Sequence, residues 1–117
     1  MFAELALNLT SRIIDSGAPY LPADTFLNVN MMAPVGECAD PAAYKWVLTR
    51  INPSTPLLSS ADVELCGRDT LPQETEVVHS GGCFVSVSVG DCSDKTTAAA
   101  DVQQAVVDKI GDMLTCF

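Results

Sequence analysis

The fold is decided by one strongly alternating stretch of sequence, Gly82-Cys83-Phe84-Val85-Ser86-Val87-Ser88-Val89. Its period of two and its β-branched residues are typical of a strand, with Cys83 and the three valines on one face. Phe84 and the two serines lie on the other face. Gly81 and Gly82 precede the strand and Gly90 follows it, so both of its ends are marked in the sequence.

The sequence after this strand predicts a helix over residues 98–115. Val106, Ile110 and Leu114 recur there at helical spacing, and we expect them to pack against the valine face. A helix with one apolar face needs a sheet to cover.

The sequence before the strand predicts one more helix and up to three more strands. Four segments carry these patterns: an amphipathic helix over 2–16, a strand over 25–30, a half-buried strand over 44–51 and a short edge strand over 76–79. The intervening residues 52–60 are rich in proline and serine and predict turns. The order helix, strands, helix predicts a mixed α/β fold without regular βαβ alternation.

Length and charge restrict the class of protein. The chain has 117 residues, with 15 acidic against 6 basic side chains and a net charge of −9. That length fits one domain, residues 1–117. Few cations on an acidic surface argue against a nucleic-acid polymer as partner, because phosphate binding depends on Lys and Arg. An uncharged run over 51–61 contains two prolines, and the longest uncharged run, 77–90, has only 14 residues. A membrane-spanning helix needs about 20 apolar residues, so we predict no transmembrane helix and no membrane partner.

The start of the chain and its cysteines point in opposite directions. The first four residues include Glu4 and no cation, so they do not begin like a signal peptide. Five cysteines and a glycosylation sequon at Asn8 are instead typical of a secreted protein. Two explanations stay open: a cytosolic protein with free thiols, or a parent protein in which Met1 is not the true start.

Cysteine spacing contains no Cys-x-x-Cys, which leaves disulfides as the stronger interpretation. Cys38 and Cys66 flank the strand over 44–51, so we predict that they pair. Cys83 begins a strand and Cys116 ends the helix expected to run back along it, which predicts the second pair. Cys92 is then the unpaired thiol.

The best candidates for ligand contact follow the strongest strand. Asp91 and Asp94 lie between that strand and a helix, and the carboxyl ends of strands often form sites in α/β folds. Aspartates also cap helices and loops, and we favour that interpretation. The single histidine, His79, has no visible partner at ligand spacing, so a structural role is favoured for it as well.

The other polar residues are expected to be structural. Two pairs of carboxylates, Asp62 with Glu64 and Glu74 with Glu76, are predicted to lie on a solvated surface. Asn28 and Asn30 share one face of an apolar strand, and buried amides must be hydrogen-bonded. We expect them to hold a neighbouring loop, since no titratable partner lies nearby in the sequence.

Three stretches of the chain resemble a known family, the survival protein SurE family of phosphatases and nucleotidases. They are Thr25-Phe26-Leu27-Asn28-Val29-Asn30, Val47-Leu48-Thr49-Arg50-Ile51-Asn52 and Gly82-Cys83-Phe84-Val85-Ser86-Val87-Ser88-Val89. The segment between Cys38 and Cys66 is similar to the fungal secreted branch, the SurE-like acid phosphatases. The likeness covers the whole chain but only the C-terminal part of the family's domain.

The resemblance implies the C-terminal portion of a three-layer α/β/α domain, in a secreted, metal-dependent phosphomonoesterase. Its substrate would be a nucleotide or another phosphate ester, its metal Mg²⁺ or Mn²⁺, and a homo-oligomer is compatible with it. The family's metal-binding Asp-Asp pair, serine loop and asparagine all precede the matched region, so no catalytic or metal-binding residue is assigned in this chain. The resemblance therefore predicts a fragment that is inactive alone. The alternative is a small acidic cysteine-containing secreted protein that binds a partner without catalysis.

Overall fold

A computed structural model, which describes residues 1–55 and 57–117, shows the predicted mixed α/β fold. Its principal elements are α1 (Phe2–Asp15), β1 (Thr25–Met31), β2 (Lys45–Thr49), α2 (Glu74–Val78), β3 (Phe84–Asp91) and α3 (Ala100–Ile110). Short 3-10 helices occupy Gly36–Ala39, Pro41–Ala43 and Gly111–Met113. The predicted turn region over 52–60 includes Pro56, which lies outside the described residues.

The strongest predicted strand is the centre of the sheet. The strand order is β1-β3-β2, with β1 antiparallel and β2 parallel to β3. Ser88 of β3 lies between Asn28 and Thr49, so the three residues share one face. Residues 85–90 are buried, because helices or loops cover both faces of this central strand.

The main hydrophobic core lies between one face of the sheet and the helices α1 and α3. Val85, Val87 and Val89 are fully buried against a cluster that includes Leu5, Leu9, Val106 and Ile110. This confirms the predicted contact of the valine face with Val106 and Ile110 of the last helix, whereas Leu114 lies beyond that helix and is only partly buried. Burying each such side chain contributes about 1.5–3 kcal/mol to folding.

Two predicted elements differ from the observed ones. Residues 76–79 were expected to be an edge strand, but Glu74–Val78 form the helix α2. So short a segment carries too little periodicity to separate helix from strand, and Val77 and Val78 are both buried. The last helix ends at Ile110 instead of continuing to 115, because the chain then turns at Gly111 and Thr115 donates its backbone N–H to Trp46 of β2.

The disulfides use the four predicted cysteines with exchanged partners. Cys38 pairs with Cys83 and Cys66 with Cys116, with Cα–Cα distances of 5.3 and 5.9 Å, while Cys92 is free and exposed. The predicted pairing was wrong because the chain beyond α3 runs beside β2 and reaches the Cys66 loop. Each bridge closes a long loop of 45 or 50 residues. Closing loops of this length stabilises a protein by about 4 kcal/mol in the chain-entropy account.

A buried ion pair joins Arg50, the residue after β2, to Asp62 in the segment that precedes α2. Arg50 donates to Asp62 over 2.9 Å, and their side chains are only 8% and 3% exposed. The same carboxylate accepts from the Leu71 backbone N–H at 2.8 Å and from Gln103 of α3 at 3.1 Å. The prediction that Asp62 lies on a solvated surface is therefore wrong, whereas Glu64 is exposed as expected.

Candidate ligand-binding site on the polar face of the sheet

The second face of the sheet is unusually polar for a buried surface. Asn28 and Asn30 of β1 lie beside Ser88 and Ser86 of β3, and Thr49 of β2 continues the row. Asparagine is uncommon in strands. Two asparagines at alternate positions of β1 therefore indicate that this face of the sheet has a role besides hydrophobic packing. Its cover in the described part of the chain is the five-residue helix α2, which buries Val77 and Val78.

Glu74, the first residue of α2, connects this polar row. Its Oε2 accepts a hydrogen bond from Asn28 Nδ2 at 2.8 Å and from Ser88 Oγ at 3.1 Å. Ser88 Oγ also lies 2.6 Å from Thr49 Oγ1. Because a hydroxyl has one proton and Ser88 gives it to Glu74, Thr49 is the donor in that contact.

Two predictions are corrected by this arrangement. Glu74 is partly buried and hydrogen-bonded, not solvated, although Glu76 is exposed as predicted. Asn28 does have a titratable partner, Glu74, which lies 46 residues away in the sequence. The expected holding role is confirmed for Asn28, although it holds the start of the helix α2 instead of a loop. Asn30 lines a cavity beside the same helix.

A cavity of about 280 Å³ opens beside α2 at the end of β1. Asn30 and Glu74 supply its polar wall, and Met31, Met32 and Val78 supply much of its apolar lining. Ser86, the neighbour of Asn30 on β3, is fully buried and its Oγ has no hydrogen-bond partner among the described residues. Burying a hydroxyl without a partner costs about 1–3 kcal/mol, so this strand position is not optimised for stability alone.

His79 lies directly after α2 and borders this cavity. It also lines a second cavity of about 380 Å³, which shares Met32 and Val78 with the first and extends to Glu37. The two cavities thus form one groove that extends from the end of β1, past the end of α2, to the loop over residues 32–38. The predicted structural role of His79 fits its backbone, whose N–H bonds the Thr75 carbonyl, but its side chain is exposed at the groove.

Asp91, the last residue of β3, and Asp94, in the loop before α3, each accept hydrogen bonds that form a turn. Asp91 Oδ1 accepts from the backbone N–H and hydroxyl of Ser93, and Asp94 Oδ1 accepts in the same way from Thr96. The side-chain hydrogen bond from Thr96, with help from its backbone N–H, lowers the pKa of Asp94 below its ordinary value of 3.8. These contacts are those of turn-forming aspartates, and the two carboxylates are not brought together with the polar row.

The remaining predicted positions lie apart from the groove. Asn8 and Thr10 of the glycosylation sequon are exposed on α1, while Leu9 between them is buried in the core. Within residues 1–55 and 57–117, no three His, Cys, Asp or Glu side chains are grouped closely enough to hold a metal ion. The family resemblance places the metal ligands before residue 1, so we derive no catalytic step through a metal in this chain.

Sequence reasoning missed the convergence on Glu74 because its contacts come from three separate segments. One signal was present: Asn28 and Asn30, like Ser86 and Ser88, alternate with apolar residues, so two strands each carry a polar stripe. Pairing those strands places the stripes side by side. Which helix would cover them is not encoded in either strand.

Fold and site together define a disulfide-linked, mixed α/β domain with a polar groove on one face of its sheet. Comparison with protein-family models, curated proteins and solved structures finds no match to this chain. In the described part of the chain, no helix is both long and apolar enough to cross a membrane.

Proposed function

We propose that this chain is the C-terminal portion of a secreted, SurE-like, metal-dependent acid phosphatase or nucleotidase. In this proposal, the 117-residue chain alone is inactive. One observation supports the proposal. The three stretches that carry the family resemblance fall on the three strands of one sheet, β1, β2 and β3. Their polar residues Asn28, Thr49 and Ser88 meet on a single face.

The chemistry explains why the proposed fragment needs more chain. Hydrolysis of a phosphate monoester requires a metal or a comparable group to activate water and to neutralise charge on the phosphoryl oxygens. The polar face offers neutral amides and hydroxyls around one carboxylate, Glu74, which does not supply that activation. In this proposal, a segment preceding residue 1 contributes the metal ligands and the catalytic groups.

The test compares two proteins. The 117-residue chain, and the same chain extended by the coding sequence upstream of it, are assayed on p-nitrophenyl phosphate and nucleoside monophosphates with Mg²⁺ or Mn²⁺ at acidic to neutral pH. We expect turnover only from the extended protein, lost when its upstream Asp-Asp pair is changed to Asn-Asn. Turnover by the 117-residue chain that is lost in Asp91→Asn or Asp94→Asn, but kept in the exposed control Asp108→Asn, contradicts the proposal.

The alternative function, a small acidic secreted binding protein without catalysis, is supported by a different feature, the groove beside α2. An upstream stop codon, or a signal sequence directly abutting Met1, would favour this alternative. The upstream sequence therefore separates the two functions before any assay is done.

A further inference from the structure

The outer edge of β1 is an unprotected sheet edge. β1 pairs only with β3, and within residues 1–55 and 57–117 no backbone bond joins residues 25–31 to a segment on their other side. Proteins usually protect such an edge with a charged residue, a proline or a bulge. The strand sequence Thr-Phe-Leu-Asn-Val-Asn-Met has no charge and no proline, so its free N–H and C=O groups are available for pairing.

The groove begins at the last two residues of β1, Asn30 and Met31, and carries two carboxylates. Glu74 lines one cavity and Glu37 the other, and the described residues that line the two cavities include His79 but no Lys or Arg. The ion pairs found among the described residues are Arg12–Asp112 and Arg50–Asp62, so the partly buried Glu74 has only neutral hydrogen-bond donors. A cation placed near Glu74 would form a charge-assisted bond, which is about twice as strong as a neutral one.

We propose that this surface binds an extended peptide segment of alternating basic and apolar residues as a fourth strand against β1. In that position, alternate side chains follow the two faces of the sheet. Apolar side chains continue the row of Leu27, Val29 and Met31 on the α1–α3 side, and basic side chains continue the row of Asn28 and Asn30 toward Glu74.

Charge decides between this occupant and a second copy of the chain. A second copy would bring another net charge of −9 and a second Glu74 and Glu37 to the same edge. A basic peptide instead brings positive charges close to Glu74 and Glu37, so its association with the groove is attractive. The proposal does not depend on phosphate-ester hydrolysis by a longer chain, so it stands or fails separately from the proposed function.

The first experiment measures fluorescence anisotropy of a labelled peptide, Thr-Val-Arg-Val-Arg-Val-Thr, titrated with the 117-residue protein. The control peptide carries Glu in place of both Arg. We expect saturable binding of the basic peptide that weakens about tenfold or more between low salt and about 0.3 M salt, and no binding of the acidic peptide. Equal binding of both peptides, or none of either, overturns the proposal.

The second experiment tests strand pairing on the peptide side. Two peptides are N-methylated at alternate residues, one at odd and one at even positions, so that each lacks the N–H donors of one edge. Strand addition requires only one edge of the peptide to donate to β1, so one N-methylated peptide should bind and the other should not. Equal affinity of both contradicts strand addition.

The third experiment locates the cation. Glu74→Gln and Asn30→Lys should each weaken the basic peptide about tenfold or more, whereas Glu76→Gln, on the exposed side of the same helix, should leave affinity unchanged. Thermal unfolding followed by circular dichroism checks that the variants are folded. If Glu74→Gln unfolds the protein, the Asn30→Lys variant alone is used to locate the cation. Unchanged peptide affinity in a folded Asn30→Lys protein overturns the assignment.

Concentration-dependent dimers that the peptide does not dissociate would identify a second copy of the chain as the occupant of the β1 edge. That result would also overturn the proposal.

Discussion

Replacing Asp62 with alanine should strongly destabilise the domain, because this carboxylate joins three parts of the structure. It accepts from Arg50, from the Leu71 backbone and from Gln103, at 2.9, 2.8 and 3.1 Å. Asp62→Ala leaves the Arg50 guanidinium without its charged partner, although its Nε still donates to the Asn52 carbonyl, in a site where the arginine side chain is only 8% exposed. Two further donors lose their acceptor.

The expected loss is large compared with the stability of a small domain. Breaking a buried ion pair by removing one partner costs about 3–5 kcal/mol. The free energy of unfolding of a domain of this size is about 5–15 kcal/mol. With a urea m-value of about 2 kcal/mol per molar, the unfolding midpoint should fall by roughly 2 M. Equilibrium urea unfolding followed by circular dichroism, with the disulfides intact, measures this shift.

Two controls make the result specific. Asp112→Ala removes the carboxylate of the exposed ion pair with Arg12 and should leave the midpoint almost unchanged, since exposed pairs contribute little. The double variant Arg50→Met/Asp62→Leu removes both buried charges and should recover much of the stability lost in Asp62→Ala. A midpoint for Asp62→Ala close to that of the parent, or a double variant less stable than the single one, would refute the reasoning.

Three further predictions concern covalent structure, titration and packing. Peptide mapping without reduction should recover two linkages, Cys38–Cys83 and Cys66–Cys116, and a Cys38–Cys66 peptide would contradict the topology. In an NMR titration, Asp94 should ionise with a pKa below 3.8, and Thr96→Val should raise that pKa. Because a lowered native pKa stabilises the ionised form, this contribution is present above the unfolded pKa and is lost as pH falls through the lower native value. Gly90→Ala would place a Cβ against the ring of Phe26, so thermal unfolding should show a loss of about 1–3 kcal/mol, reduced in a Phe26→Ala background.

The strong periodic patterns in the sequence determined the main elements. Alternation over 83–89 predicted the central strand, and apolar residues at three- and four-residue spacing predicted α1 and the first part of α3. These patterns are local and repeat over several turns or residues, so they identify both the element and the face that it buries. The mixed α/β class and the contact of the valine face with α3 followed from them.

Only the tertiary structure decided which distant residues meet. Asp62 and Glu74 each look like surface carboxylates in a chain with 15 acidic residues, yet Arg50 and Asn28 reach them across 12 and 46 residues. The partners of the four bridged cysteines depended on where the chain runs after Ile110, which no local pattern encodes. Sequence patterns record the preference of each segment for one secondary structure and one buried face. Disulfide partners, buried ion pairs and the groove depend on how those segments pack, and packing joins residues with no fixed spacing.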